Sequence, residues 1–262
     1  MWKISKKITR ILSAAFVLLM FLAIPGPALA ASALDSDILI VGTEGTYPPF
    51  EYYDETNALT GFDMELVQAI GKILGREIRL VDMTFDGLIP ALAAGKVHLV
   101  AAAVNATDER RQKVDFSDVY CVTDAALMVK ADNEALKTFD DLKGKTVGVQ
   151  LGTVEDAYLG TLGNSFEIRR YQKTDDAVRE VVLGRNDGVF LDTVVALSYI
   201  DSDRFKGSLK IAVRRAINSP SEGFSLALRK GDPKFLEAVN GALQNLEKSG
   251  ELQALKKKYR LE

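Results

Sequence analysis

The sequence predicts an α/β protein of two lobes, each a mostly parallel sheet flanked by helices, joined by two hinge crossings. Three observations lead there. Short β-rich runs alternate with helical patterns, which places parallel strands beneath helices. The rhythm breaks once, at CVTDAALMVK (121–130), an extended run followed by a loop rather than a helix, and then restarts. After the turn-rich NSPSEG a strand-like FSLALRK returns and leads into the last helices. The second unit therefore reads as an insertion. Residues 31–121 and 222–262 make one lobe and 122–221 the other, with crossings near 121–125 and 218–224.

Residues 1–30 stand outside this plan. Lys3, Lys6, Lys7 and Arg10 precede an apolar run from Ile11 to Ile24, and PGPALA ends at Ala30 in a small-residue cleavage site, the pattern of an export signal. The run is about 14 residues, short of the roughly 20 that span a bilayer. The mature chain is expected to be soluble and periplasmic, and no cysteine near the cleavage site offers a place for a lipid anchor.

In the first lobe ILIVGT (38–43) reads as a strand. GFDMELVQAIGKILG then sets Leu66, Val67, Ile70, Ile73 and Leu74 on one stripe, with Asp63 near its start and Gly75 as its stop. EIRLVDM, FDGLIPALAAGKV, HLVAAAV and TDERRQKV continue the alternation. In the second lobe TVGVQL, TVEDAYLGTLG, EIRRY, TDDAVREVVLGRN, GVFLD, TVVALSYI and LKIAV do the same. Asp232 and Pro233 open a helix carrying Phe235, Leu236, Val239, Ala242 and Leu246, and ELQALKKKYR closes the chain as a short basic amphipathic helix.

Composition narrows the function. Without the leader, 29 basic residues face 36 acidic ones, a net charge of −7, which argues against nucleic acid and anionic membranes as partners. Cys121 is the only cysteine, so no intramolecular disulfide forms, and its apolar surroundings suit a small buried hydrophobe. His98 is the only histidine, and no CxxC or HExxH spacing exists for it to join, so neither a metal nor a cofactor is expected.

Ligands of open α/β sheets sit beyond the carboxyl ends of strands. Those ends offer Glu44 and Tyr47 in TEGTYPPFEY, then Phe85, then the run Ala103, Val104, Asn105 leading to Arg110. The second lobe offers Gln150, Thr153, Val154 and Glu155 in QLGTVED, and Asp192 at the end of GVFLD. Arg110 poses a question of its own, because Thr107, Asp108 and Glu109 form a helix start, where cations are repelled. The two acids can neutralise it on a solvated surface. Alternatively, Arg110 and backbone N–H groups near Asn105 and Val154 hold a carboxylate while Asp192 holds an ammonium from the opposite lobe, a pattern that fits an α-amino acid zwitterion.

These segments, in this order and spacing, resemble the family 3 periplasmic amino-acid-binding proteins of ABC uptake systems. The resemblance runs through GTEGTYPPFEY, GFDMELVQAIGKILG, FDGLIPALAAGKV, ATDERRQKVDFSDVY, LKGKTVGVQLGT, the LGRNDGVFLD run and LQNLEKSGELQALKKKY. It implies the type II binding-protein fold, with Arg110 on the ligand carboxylate, Asp192 on its amine, and Tyr47 and Phe85 sandwiching its side chain. It also implies an ABC permease as partner, reached through both lobe tips, and a protein expected to act as a monomer. Departures bear on the ligand. Asn105 stands where the family has Ser or Thr, Ala102 and Ala103 offer only backbone, Val154 replaces Thr or Gly, and Glu155 replaces a neutral residue.

Charge counting then selects a side chain. Arg110 and Asp192 answer the zwitterion and leave Glu44, and Glu155 with it, in need of a cation, since burying an uncompensated carboxylate costs several kcal/mol. Tyr47 and Phe85 could each add roughly 0.5–2 kcal/mol of cation–π attraction. Arginine is favoured, then lysine, ornithine or histidine. If Glu44 and Glu155 instead cap their own segments and face water, a neutral polar ligand such as glutamine follows. A third reading is an enzyme of the cyclohexadienyl dehydratase type with Glu155 as general acid.

Overall fold

The computed structural model describes residues 32–217 and 223–261. The expected export signal, and residues 218–222 of the second crossing, lie outside the described residues. After a short 3₁₀ turn, the chain enters β1 (Ile38–Thr43) and a small three-stranded sheet of β2 (Thr46–Tyr47), β3 (Glu51–Tyr53) and β4 (Leu59–Thr60). Then come α1 (Phe62–Leu74), β5 (Glu77–Asp82), α2 (Phe85–Ala93), β6 (Leu99–Val100), the single turn α3 (Asp108–Arg111) and β7 (Val114–Phe116). The next stretch holds β8 (Ala125–Lys130), β9 (Thr146–Gln150), α4 (Val154–Thr161), β10 (Glu167–Tyr171), α5 (Thr174–Val182), β11 (Gly188–Asp192), α6 (Thr193–Asp201) and β12 (Leu209–Arg215). The chain ends with β13 (Ala227–Arg229), α7 (Pro233–Ser249) and α8 (Glu251–Lys258).

Two five-stranded sheets result, ordered β5-β1-β6-β13-β7 and β10-β9-β11-β8-β12. Each has a parallel trio, β5, β1 and β6 in one and β10, β9 and β11 in the other. One strand in each sheet is reversed: β13 pairs antiparallel with β6 and β7, and β8 with β11 and β12, so that β7 and β12 run with the trios. Four strands of each sheet therefore run in one direction and one runs against them, as the expectation of mostly parallel sheets has it. The reason for the reversal is local: β8 and β13 enter their sheets directly from the other half rather than through a helix, and an antiparallel entry needs no helical crossover.

Helix termini follow the residues that mark them. Gly75 ends α1 at φ 64°, a left-handed conformation that glycine adopts without Cβ strain. The Asp232 side chain accepts the Phe235 N–H at the start of α7, with Pro233 in its first turn. On α1, Leu66, Val67 and Ile70 are buried as the periodicity predicts, but Ile73 is 42% exposed, because it lies in the last turn at the edge of the buried arc. On α7 the buried stripe takes Leu243 in addition to Phe235, Val239, Ala242 and Leu246, while Leu236 is only partly covered. His98 is structural, its Nδ1 accepting the Ile40 N–H at 3.0 Å. Among the described residues, no helix is long and apolar enough to cross a membrane.

The first crossing leaves the first sheet through 117–121, and it pairs with the returning chain. Leu226 O accepts the Ser117 N–H at 2.9 Å, Phe224 O accepts the Tyr120 N–H at 2.9 Å, and Cys121 O accepts the Phe224 N–H at 2.8 Å. Cys121 is buried there, as a small hydrophobe should be, and burial pushes its thiol up to about 12. Gly223 makes this approach possible, since a Cβ at that position would lie 2.6 Å from Cys121 O and 2.7 Å from Val119 Cγ1. Gly223→Ala should therefore lower the melting temperature by several degrees, corresponding to an overpacking cost of about 1–3 kcal/mol. An unchanged melting curve would show that the crossings are not held this tightly.

Candidate functional site

The residues singled out at strand ends converge on one small cavity between the two sheets, lined by Glu44, Tyr47, Phe85, Ala103, Asn105, Gln150, Thr153, Glu155 and Asp192. Each is placed by a strand end or the helix start after it. Tyr47 ends β2, Phe85 begins α2, Gln150 ends β9, and Asp192 ends β11 and caps α6. Thr153 is the N-cap of α4, its Oγ1 accepting the Asp156 N–H at 3.2 Å and donating to Gln150 O at 2.9 Å.

Three expected residues fall elsewhere. Val104 is fully buried in the apolar cluster with Leu88, Leu92 and Phe116. Val154 is a half-buried first residue of α4, where helix geometry leaves its N–H without an intrahelical partner. Arg110 stands at the rim, its guanidinium 5.4 Å from the Phe85 ring centre. The question it raised has a structural answer: Nη1 donates to Asn105 O at 2.9 Å and Nη2 to Gly152 O at 3.0 Å. These carbonyls belong to opposite halves, so the arginine already bridges the cleft.

Other bonds cross the same gap. The Tyr47 hydroxyl donates to Asp192 Oδ2 at 2.7 Å, and Gln150 Nε2 donates to Glu44 Oε2 at 3.0 Å. Thr46 Oγ1 accepts the Thr174 N–H at 3.2 Å, and the Tyr199 hydroxyl donates to Thr46 O at 2.8 Å. The two halves are thus closed upon each other, with the cavity shut inside.

Two acids that sequence reasoning did not assign to the site complete it. Glu51 also lines the cavity and is 1% exposed. The signal that could have found it is the tight turn YPPF. It folds β2 onto β3 and sets Glu51 directly opposite Tyr47, so both stand on one face. Asp63, expected near the start of α1, lies behind the cavity, accepting the Ala103 N–H at 2.8 Å and the Tyr120 hydroxyl at 2.8 Å. It holds Ala103 at φ 46°, a left-handed conformation that costs a non-glycine residue energy and persists only when its surroundings impose it.

The cavity's electrostatics are one-sided. Glu44, Glu51, Glu155 and Asp192 line it, and Glu51 Oε2, Glu155 Oε1 and Asp192 Oδ1 are buried without a hydrogen-bond partner among the described residues. Burial raises all four carboxyls. Glu51 and Asp192 go well above the carboxylate range because neighbouring acids add repulsion, while Glu44 is restrained by its bonds from Thr46 and Gln150. Arg110 attracts Glu155 and partly offsets its rise. A larger open groove, lined by Tyr53, Leu197, Phe205 and Tyr259, has its charges matched internally, with Arg204 2.9 Å from Asp175 and Arg260 3.4 Å from Asp201. Carboxyl oxygens without a partner among the described residues single out the smaller cavity.

Two α/β halves closed over a polar cavity define a protein that captures a small solute. The chain matches the model of the bacterial extracellular solute-binding proteins, family 3, over residues 39–262, and it belongs to that family. It is 37% identical to the L-cystine-binding protein TcyJ of Escherichia coli (strain K12) over 222 residues, 84% of this chain and 82% of that one. It is also 37% identical to the arginine-binding extracellular protein ArtP of Bacillus subtilis (strain 168), over 84% of this chain and 85% of that one. Among solved structures it is similar to an ancestral arginine-binding protein bound to arginine, at TM-score 0.81 and 37% identity, covering 86% of this chain and 98% of that one. It is likewise similar to the ancestral amino acid-binding protein AncCDT-1, a precursor of cyclohexadienyl dehydratase, at TM-score 0.78 and 35% identity, covering 87% and 99%. The two-lobed type II fold expected from the sequence is the fold of this family.

Unpaired buried carboxyls make stability depend on pH. Burial lifts Asp63 from 3.8 to about 7. The folded chain therefore holds this proton more tightly than the unfolded chain, and the stabilisation is lost as pH rises from about 4 towards about 7. The ligand-free protein should melt at a lower temperature at pH 8 than at pH 5, and Asp63→Asn should shrink that difference. A higher melting temperature at pH 8 would show that these acids are not held as the structure places them.

Proposed function

We propose that this protein captures a basic α-amino acid, arginine first and then lysine, ornithine or histidine, between two lobes that close by hinge motion. It would then deliver that amino acid to an ABC permease from the periplasm. The lobes are residues 31–121 with 222–262, and residues 122–221, the partition that the strand membership of the two sheets supports. The observation that carries the reading is the cavity's charge. Four carboxyls line it, three of their oxygens have no partner among the described residues, and the nearby guanidinium of Arg110 stands at the rim. An α-ammonium on Asp192 and a cationic side chain deeper in the cavity would satisfy these acids, and Arg110 is within the cleft to meet the ligand carboxylate.

Closure follows from the same arrangement. A ligand touching Asp192 and Glu155 on one side and Glu44, Glu51 and Phe85 on the other bonds the closed form better than the open one, and so shifts the equilibrium towards it. The protein works as a monomer with no metal or cofactor and no nucleic-acid partner.

Glutamine would satisfy hydrogen bonds but would bring no side-chain cation against which the buried acids could ionise, so it ranks below the basic amino acids. The dehydratase reading has one favourable observation, the raised Glu155 carboxyl, which keeps a proton available near neutral pH. An anionic, prephenate-like substrate would meet four acids, and that repulsion argues for binding rather than turnover.

Titration calorimetry of the mature chain should give micromolar or tighter binding, about −8 kcal/mol or stronger, for at least one of arginine, lysine, ornithine and histidine. A saturating amino acid at 100 times its Kd should raise the melting temperature by about 5–10 °C, the equivalent of about 2.7 kcal/mol. Binding confined to acidic or aliphatic amino acids would overturn the charge argument. Arg110→Ala should weaken binding by at least about 30-fold, or roughly 2 kcal/mol for a lost charged hydrogen bond, with the circular-dichroism spectrum unchanged. Unchanged affinity would remove Arg110 from the site.

A further inference from the structure

Asp63, in the first turn of α1, is fully buried and is not among the residues that line the cavity. Its Oδ2 accepts two donors from distant parts of the chain, the Ala103 N–H at 2.8 Å and the Tyr120 hydroxyl at 2.8 Å. Burying a carboxyl costs free energy that only its hydrogen bonds can offset, so what those bonds hold in place matters.

Ala103 begins the run that leads to Arg110. Its left-handed backbone, at φ 46°, turns the chain so that Ala103 and Asn105 both line the cavity while Val104, between them, enters the apolar cluster of Leu88, Leu92 and Phe116. Asn105 O in turn accepts Arg110 Nη1 at 2.9 Å. An alanine stays left-handed only where its surroundings impose that conformation, and the bond from its N–H to Asp63 does so here. Tyr120 belongs to the first crossing. Its N–H donates to Phe224 O at 2.9 Å, and its ring stacks on Phe62 with centres 5.7 Å apart. The returning chain also touches the run, the Ser225 N–H donating to Val104 O at 3.0 Å. One carboxyl oxygen thus clamps the wall that carries Arg110 to the crossing about which the halves would turn.

We propose that Asp63 is a positioning residue for recognition of the ligand carboxylate. Through the Ala103 N–H it fixes the Ala103–Asn105 run and so the aim of Arg110; through the Tyr120 hydroxyl it fixes that run against the first crossing. This rests on the reading of the protein as a binder of basic α-amino acids, and it assigns a group that sets how strongly their carboxylate is held without touching it. The acceptor oxygen is what counts, since both donors meet Oδ2 while Oδ1 has no partner among the described residues. An asparagine can therefore stand in, with its carbonyl oxygen where Oδ2 lies.

L-Arginine and agmatine isolate the carboxylate, because agmatine keeps the guanidinium and an ammonium and lacks only the carboxyl group. Where lysine or histidine is the tighter ligand, cadaverine or histamine takes the place of agmatine. Competition calorimetry on the unaltered mature chain should give at least a 100-fold preference for the amino acid over its amine. Asp63→Ala should lower that ratio at least tenfold, and Asp63→Asn should keep it within threefold. A general loosening of the fold would weaken both ligands alike, so a ratio held within threefold in Asp63→Ala overturns the proposal. A tenfold loss in Asp63→Asn overturns it too, since the acceptor would then not be what counts. If Asp63→Ala does not fold, Tyr120→Phe removes one of the two donors and keeps the ring on Phe62; it should lower the ratio at least threefold, and an unchanged ratio overturns the proposal equally. Failure of the broader reading looks different: the unaltered protein would bind no basic amino acid at all.

Discussion

Closed over one another, the two halves shut four carboxyl groups into a cavity, and the cost of ionising these buried acids is the constraint from which the rest of the site follows. A buried carboxylate without a partner is costly, so each acid must keep its proton, find a donor across the gap, or wait for a cation. All three solutions are present. Asp63 is lifted to about 7 behind the cavity, Glu44 is bonded by Thr46 and Gln150, and Glu51, Glu155 and Asp192 each keep an oxygen without a partner among the described residues. A cavity so arranged is under electrostatic tension that an incoming cation relieves, which links solute chemistry to closure without any need for a long-range signal.

The fold makes this possible by distributing the acids between separate sheets. Glu44 lies in the link between β1 and β2 and Glu51 begins β3 of the small sheet, while Glu155 stands in the first turn of α4 and Asp192 ends β11 at the start of α6. Moving the halves apart would let water reach all of them; bringing them together removes that water and strengthens each charge–charge interaction. Where the crossings are described they are well knit, with the 117–121 segment hydrogen-bonded to 224 and 226 and packed against Gly223. A hinge built from paired extended chains can flex while keeping its register, a property suited to one degree of freedom rather than many.

Arg110 shows why a residue's type and its job separate. A guanidinium at the start of a one-turn helix reads from sequence as an anion receptor or as an idle surface charge. In the folded chain it lies on Phe85 and donates to the carbonyls of Asn105 and Gly152. Its donors are directed to both halves, and a ligand carboxylate entering the cleft would meet a group already held in place by neutral acceptors. Such preorganisation lowers the entropy cost of recruiting a long side chain at the moment of binding.

Periodicity and strand–helix alternation carried the architecture, because local hydrophobic pattern determines which segments become strands or helices, and a single break in the rhythm marked the second sheet. Strand-end position alone brought Tyr47, Phe85, Gln150, Thr153, Glu155 and Asp192 to one site, since helix starts after parallel strands face the same edge of a sheet. What sequence could not decide is direction and partnership. The antiparallel entry of β8 and β13, the exposure of Ile73, the burial of Val104 and the presence of Glu51 on the cavity face all depend on how distant segments dock. Above all, the sequence names the acids, but only the tertiary structure decides which of them are already bonded. A hydrogen bond such as that from Gln150 to Glu44 joins positions 106 residues apart, and no local pattern records it.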